Sequence, residues 1–275
     1  MRNTQDGNHT QNSNLTGIKA AIFDLDGTVY VDGELIGDAK NTLKYLRSKG
    51  VKVGFLTNNS SRTDEEYEKM LENLGVFEEG DFCCSSLSAS VEYLKEKRAA
   101  AKIYALATDK VDEYLRTTGL NFVKETEYAA ADTLLLAFDK ELTYQKLVRA
   151  NELLCGGAYY IVTHPDKACP AKGCSVPDVG SFIELLRASS GKVPNVIVGK
   201  PYPTMAEILE KRLKISAKEM LMVGDRLNTD IAFGLNSGMK TALVLSGETS
   251  RELYEKSGVK TDAVLKDMNE LVNLL

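Results

Sequence analysis

Apolar strand-like runs alternate with amphipathic helix-like runs along most of this 275-residue chain. That alternation restricts the fold more than any other feature. "KAAIFDL" (19–25) precedes "GDAKNTLKYLRSKG" (37–50), where Ala39, Leu43 and Leu46 fall at helical spacing ahead of Gly50. "VKVGFLTNN" (51–59) is the next strand. It is followed by "TDEEYEKMLENLG" (63–75), which opens on the capping-box pattern Thr63-x-x-Glu66 and stops at Gly75. The series resumes with "NVIVGKP" (195–201), a helix from about Tyr202 to Lys214, "EMLMVGD" (219–225) and a helix near 229–237. It closes with "KTALVLSG" (240–247) and "DAVLK" with a terminal helix. Strands that alternate with helices form a parallel sheet covered on both faces, so the expected fold class is α/β.

A second alternating set, "KIYALAT", "DTLLLAFD" and "AYYIVTHPD", interrupts the first instead of following it. The expected organisation is a core from 18–98 and 191–275, with an α/β domain inserted at 99–190. The Asn/Gln/Thr-rich stretch 1–17 has no apolar run, so it reads as a disordered tail and not as a signal peptide. Its "NHT" and "NLT" match glycosylation acceptors, which carry no meaning without secretion. A net charge of −5 leaves no basic field to attract a nucleic acid polymer. No apolar stretch approaches the ~18–20 residues that span a membrane. Five cysteines, an odd number, predict reduced thiols in a cytoplasmic setting. Cys169 and Cys174 with His164 give H-x4-C-x4-C, which fits no common structural zinc site and lacks a fourth ligand.

Chemistry gathers at four expected strand ends. The first carries Asp24 and Asp26, the second Thr57-Asn58-Asn59, the third Lys200, and the fourth Asp225 with Asp230 five residues on. Ligands of open α/β sheets bind beyond the carboxyl ends of the strands. Each signal alone has an ordinary reading as a turn, a solvated loop or a helix cap; four in order are harder to dismiss. Asp24 and Asp26, one residue apart, repel each other, and a cation between them resolves the conflict. Carboxylates suit Mg2+, while the hydroxyl, amides and ammonium suit phosphate oxygens.

The ordered set "DLDGT", "TNNSSRT", "GKP" and "GDRLNTD" resembles the haloacid dehalogenase (HAD) superfamily of phosphatases. More narrowly it resembles the NagD and p-nitrophenylphosphatase-like class IIA, whose large cap lies between the second and third motifs. The resemblance runs from about Ile18 to the end of the chain. It implies a Rossmann-like parallel-sheet core with an α/β cap. It also implies Asp24 as nucleophile, and Asp26 as general acid/base that lends the metal a backbone carbonyl. Thr57, Asn58 and Asn59 would bind the phosphoryl group, and Lys200 would steady nucleophile and phosphoryl. Asp225 would be a metal ligand, and Asp230 would support the metal shell. The expected activity is Mg2+-dependent hydrolysis of small phosphorylated metabolites, such as sugar phosphates or nucleoside monophosphates, through an aspartyl phosphate. A phosphotransferase or mutase on the same core, or a non-catalytic phosphometabolite-binding regulator, are the alternatives. A dehalogenase needs neither Asp26 nor Mg2+. Selectivity is expected from the loop "THPDKACPAKGCSVPDVG" (163–180), with His164 read as a solvated loop histidine and no single cap residue assigned. Whether copies of the chain form a homo-oligomer is left open.

Overall fold

The computed structural model describes residues 15–169 and 173–275. Most of the expected tail, and residues 170–172 of the expected selectivity loop, lie outside them. Within them, Leu15 is already buried. The chain divides into two compact units, 1–53 with 216–275, and 54–215. These do not coincide with the expected boundaries at 98/99 and 190/191.

In the first unit the strand Ala20–Phe23 is buried at every residue. It runs parallel to Met220–Gly224, with Ala20 opposite Met220 and Phe23 opposite Val223. Lys240–Val244 and then Ala263–Leu265 extend the same sheet, again in parallel. Near-continuous apolar runs are what strands covered on both faces require. The helix Ala39–Ser48 buries Ala39, Thr42, Leu43 and Leu46, the face its spacing predicts. Lys52 donates its N–H to the Lys19 carbonyl at 2.9 Å, so the strand Lys52–Thr57 starts here, although only Lys52 and Val53 belong to this unit. A small antiparallel hairpin, Tyr30–Val31 with Glu34–Leu35, follows the first motif. It turns on Asp32-Gly33, both at positive φ, the conformation that favours Asp-Gly in tight hairpins.

In the second unit the rest of Lys52–Thr57 pairs in parallel with Phe82–Ser85, with Thr57 opposite Ser85. The helix Asp64–Leu74 has the full capping box: Thr63 N–H donates to Glu66 Oε2 at 3.0 Å, and Glu66 N–H donates to Thr63 Oγ1 at 3.4 Å. A separate parallel sheet runs in the order Val196–Ile197, Tyr159–Val162, Thr133–Leu136, Lys102–Leu106, Asn121–Phe122. The helices Tyr144–Cys155 and Val179–Ser190 pack Leu154 and Leu186 into its core.

The segment 195–201 departs from expectation. Its place in the sequence groups it with the strands of the first set, but Val196 lies opposite Ile161 in the sheet of the inserted segment. Asn195 fastens it there: its N–H donates to the Tyr160 carbonyl at 2.8 Å, and its Oδ1 accepts from Tyr160 N–H at 2.7 Å. A short apolar run offers the same faces to either sheet, so its pattern cannot name its neighbour. The ladder continues to Gly199, whose N–H donates to the Thr163 carbonyl at 2.7 Å, beyond the expected boundary at 190. Among the described residues, no helix is long and apolar enough to cross a membrane.

Candidate active site

Two adjacent parallel strands of the first unit deliver carboxylates at their carboxyl ends. Asp24 follows Phe23, and its N–H still donates to the Val223 carbonyl at 2.9 Å, continuing the ladder by one residue. Asp225 follows Gly224, and the π-helical turn Leu227–Ile231 brings Asp230 back towards it. One oxygen from each of Asp24, Asp225 and Asp230 lies within 4.8 Å of the other two. Asp225 and Asp230 are 2 % and 1 % exposed, and Asp24 is half-buried. Backbone amides set the orientation of both buried carboxylates. Glu248 N–H donates to Asp225 Oδ2 at 2.6 Å, and Arg226 N–H donates to Asp230 Oδ2 at 3.1 Å.

Charges at such a separation repel by about 3.5 kcal/mol or more per pair at an effective dielectric constant of about 20. Three carboxylates held at this range by backbone amides are a poor arrangement in isolation and a good one around a hard divalent cation. The donor set therefore fits Mg2+. Asp26 is not part of it. Its carboxylate is exposed, and the Tyr30 hydroxyl donates to its Oδ2 at 3.5 Å. The alternation that would aim Asp24 and Asp26 at one point ends with the strand at Phe23, and Gly27, at φ 81°, turns the chain away. Of the expected Asp26 contribution to a metal, only the backbone carbonyl remains.

Glycine makes room for Asp225. A Cβ on Gly27 would lie 2.5 Å from Asp225 Oδ2, and one on Gly247 would overlap the same oxygen. Gly247→Ala is expected to push Asp225 out of the cluster. It should lower the thermal midpoint by a few degrees, following an overpacking cost of about 1–3 kcal/mol, and weaken Mg2+ binding in calorimetry. Unchanged Mg2+ affinity would show that Asp225 is not held there by that backbone.

The second unit carries Thr57, Asn58, Asn59 and Lys200. Lys200 is 1 % exposed, and its Nζ donates to the Leu56 carbonyl at 3.1 Å. The ammonium therefore sits at the carboxyl end of Lys52–Thr57, against the peptide that leads into Thr57. The Asn58 side chain is taken up inside the protein, and that of Asn59, half-buried, is engaged through its oxygen. Asn58 binds both backbone groups of Lys200 and the Asp166 carboxylate. Asn59 Oδ1 accepts from the N–H and Oγ of Ser61 at 3.0 and 2.8 Å, while its N–H donates to Thr57 Oγ1 at 3.1 Å. These contacts shape the loop at the place where the resemblance implied phosphoryl binding. Just beyond the loop, Asp64 accepts from the N–H and Oγ of Ser85 at 2.9 and 2.6 Å. Burial pushes its carboxyl up from the ordinary value, against the lowering effect of the Ser85 and Ser88 hydrogen bonds and Arg212.

His164 is fully buried, not solvated. Its Nε2 meets Asp178 Oδ1 at 3.0 Å and its Nδ1 meets Thr163 Oγ1 at 3.1 Å. Thr163 Oγ1 in turn meets Ser60 Oγ at 2.9 Å, and Ser60 Oγ accepts from Phe138 N–H at 2.8 Å. The loop 57–63 is thus hydrogen-bonded to the carboxyl edge of the inserted segment's sheet. One signal was available in the sequence: His164 stands two residues past the buried strand Tyr159–Val162, a position where a polar side chain needs partners. With both ring nitrogens engaged, His164 does not join Cys169 and Cys174, neither of which is in a disulfide. Among the described residues, Asp24, Asp225 and Asp230 form the one group with metal-ligand spacing.

Profiles of known families match two stretches: haloacid dehalogenase-like hydrolase over residues 21–121, and HAD-hydrolase-like over 197–271. An acid sugar phosphatase of Staphylococcus saprophyticus is 31 % identical over 261 residues, spanning 95 % of this chain and 99 % of that protein. One from Staphylococcus aureus is 32 % identical over 254 residues, spanning 92 % and 96 %. Among solved structures, a 4-nitrophenylphosphatase from Thermotoga maritima superposes with a TM-score of 0.89 at 35 % identity, covering 95 % of this chain and 99 % of that one. A p-nitrophenyl phosphatase from Archaeoglobus fulgidus gives 0.87 at 29 % identity, covering 94 % and 99 %.

Proposed function

Since the chain belongs to the haloacid dehalogenase-like hydrolase family, we propose that it is a phosphatase, a Mg2+-dependent phosphomonoesterase acting on small phosphorylated metabolites. Sugar phosphates come first among the candidates, because the curated relatives are acid sugar phosphatases; nucleoside monophosphates follow. The observation that carries the reading is the carboxylate group of Asp24, Asp225 and Asp230 at the ends of neighbouring parallel strands. When bound there, Mg2+ offsets the repulsion between a carboxylate nucleophile and a phosphate dianion and stabilises charge on the phosphoryl oxygens.

The chain's own residues then divide the work. An Asp24 oxygen attacks phosphorus, the bond from phosphorus to the ester oxygen breaks, and Asp26 gives its proton to the departing alkoxide. Asp26 next takes a proton from water, whose oxygen attacks phosphorus, and the bond to Asp24 breaks to release inorganic phosphate. Lys200 and Thr57 are assigned to the phosphoryl oxygens, and the segment 99–190 to substrate choice. The odd number of cysteines, five, favours a cytoplasmic setting.

The test is a panel of phosphate monoesters that includes p-nitrophenyl phosphate, sugar phosphates and nucleoside monophosphates, with Lys200→Ala alongside wild type. Hydrolysis of p-nitrophenyl phosphate by the wild type and its loss in the lysine variant are expected, with one metabolite class preferred by at least tenfold in kcat/KM. No phosphate release from any ester would refute the phosphatase reading.

A further inference from the structure

Asn58 is buried to 6 % exposure and makes three hydrogen bonds through its side chain. Its Oδ1 accepts from Lys200 N–H at 2.8 Å. Its Nδ2 donates to the Lys200 carbonyl at 2.9 Å and to Asp166 Oδ2 at 3.0 Å. One amide therefore pairs with both backbone groups of a single residue, and that residue carries the buried ammonium. The arrangement has one orientation. If the amide flipped, its oxygen would face the Lys200 carbonyl and the Asp166 carboxylate, and its NH2 would face the Lys200 N–H, so all three contacts would become repulsive. The surrounding backbone comes close to make this pairing. Gly199, just ahead of Lys200, has no room for a side chain, since a Cβ there would lie 2.6 Å from both Asn58 Oδ1 and the Thr163 carbonyl. From the other side the Ser86 hydroxyl donates to the Asn58 carbonyl.

We infer that Asn58 is a positioning residue for Lys200, and that Asp166, at the root of the loop 163–180, fixes the orientation of the Asn58 amide. The inference rests on the assignment of Lys200 to the phosphoryl group. Asn58 holds the backbone from which the ammonium projects, and both of its amide N–H donors are committed within the protein, leaving none for a phosphoryl oxygen. It acts on the placement of charge and not on ground-state binding. Misplacing a reacting group by an ångström costs up to about a hundredfold in rate, so the loss belongs in kcat. Asp166 gives the loop that precedes the helix Val179–Ser190 a direct hold on the same amide. A shift of that loop therefore reaches Lys200 through two hydrogen bonds.

Asn58→Asp keeps the shape and the acceptor for Lys200 N–H, but sets a carboxylate against the Lys200 carbonyl and against Asp166. With p-nitrophenyl phosphate as probe, kcat should fall about 10–100-fold while KM changes less than about threefold. Adding Asp166→Asn restores a donor between positions 58 and 166 and should recover at least about fivefold of the lost kcat, with circular dichroism confirming the fold of each protein. A role in packing alone would not produce this reciprocal rescue. A folded Asn58→Asp variant with kcat within threefold of wild type, or a double variant no faster than the single, would overturn the inference. If Asn58→Asp does not fold, Asp166→Ala decides: a kcat lowered about 3–10-fold at unchanged KM supports the inference, and an unchanged kcat overturns it. Wild-type turnover and its loss in Lys200→Ala test the phosphatase reading separately.

Discussion

Replacing Asp24 by Asn is expected to take hydrolysis of p-nitrophenyl phosphate below detection, while the folded protein in metal-free buffer is at least as stable as wild type. Both effects come from one oxygen-for-nitrogen exchange. An ionised carboxylate can attack phosphorus; an amide is a very poor nucleophile. The motif has no substitute, because Thr28, its hydroxyl residue, is fully buried. Stability moves the other way. Asp24 lies within 4.8 Å of Asp225 and Asp230, so removing its charge removes two repulsions, each softened by solvent because Asp24 is only half-buried. Turnover and the thermal midpoint in chelator should be measured on the same preparation. A folded variant with a tenth of wild-type kcat would end the covalent role of Asp24. A midpoint clearly below wild type in chelator would mean that the three carboxylates do not strain the metal-free state.

Much of this fold was legible because its rules are local. The capping box at Thr63 and Glu66, the stop at Gly75 and the buried face of Ala39–Ser48 all depend on residues a few positions apart, and all are present. The same holds for the strand ends, since a parallel strand buried on both faces must surrender its first polar residue at its carboxyl end. Asp24 and Asp225 stand there. What the sequence did not disclose is long-range pairing. Val196 could have joined either sheet until Asn195 met Tyr160. The strand Phe82–Ser85 and helix Ser86–Lys97 went unread because "FCCSSLSASVEYL" mixes small polar and apolar residues without a clear period.

The site divides along the same line. Chain order was enough to mark Asp24, Asp225 and Asp230, because each follows a strand or its first turn. Asp26 could not be placed by period, since the period ends where the strand does. For Asn58, residue type suggested a ligand contact, but an asparagine satisfies a buried backbone as readily as it binds a phosphate. Its three partners are at positions 166 and 200, more than a hundred residues away. The burial of His164 is hidden for the same reason: its partner Asp178 lies beyond a loop whose path no local rule predicts.

Removing divalent metal is the second change with a complete expected effect. EDTA should abolish hydrolysis of p-nitrophenyl phosphate, and Mg2+ should restore it. Ca2+ should restore it poorly, because its larger and more variable shell does not hold nucleophile and phosphorus in line as well. The same site predicts a second readout that needs no substrate. Backbone amides from Glu248 and Arg226 keep Asp225 and Asp230 in place whether or not a cation is bound, so the metal-free protein retains the repulsion within the trio. Mg2+ binds the folded chain and finds no such trio in the unfolded one. At about 100 times its dissociation constant it should add about 2.7 kcal/mol of stability, read as a rise in thermal midpoint of several degrees. Asp225→Asn removes one ligand and should shrink that rise along with the Mg2+ affinity. Full activity in excess chelator would take the metal out of the reaction. A midpoint that does not respond to Mg2+ in the wild type, or responds equally in Asp225→Asn, would take it out of this carboxylate group.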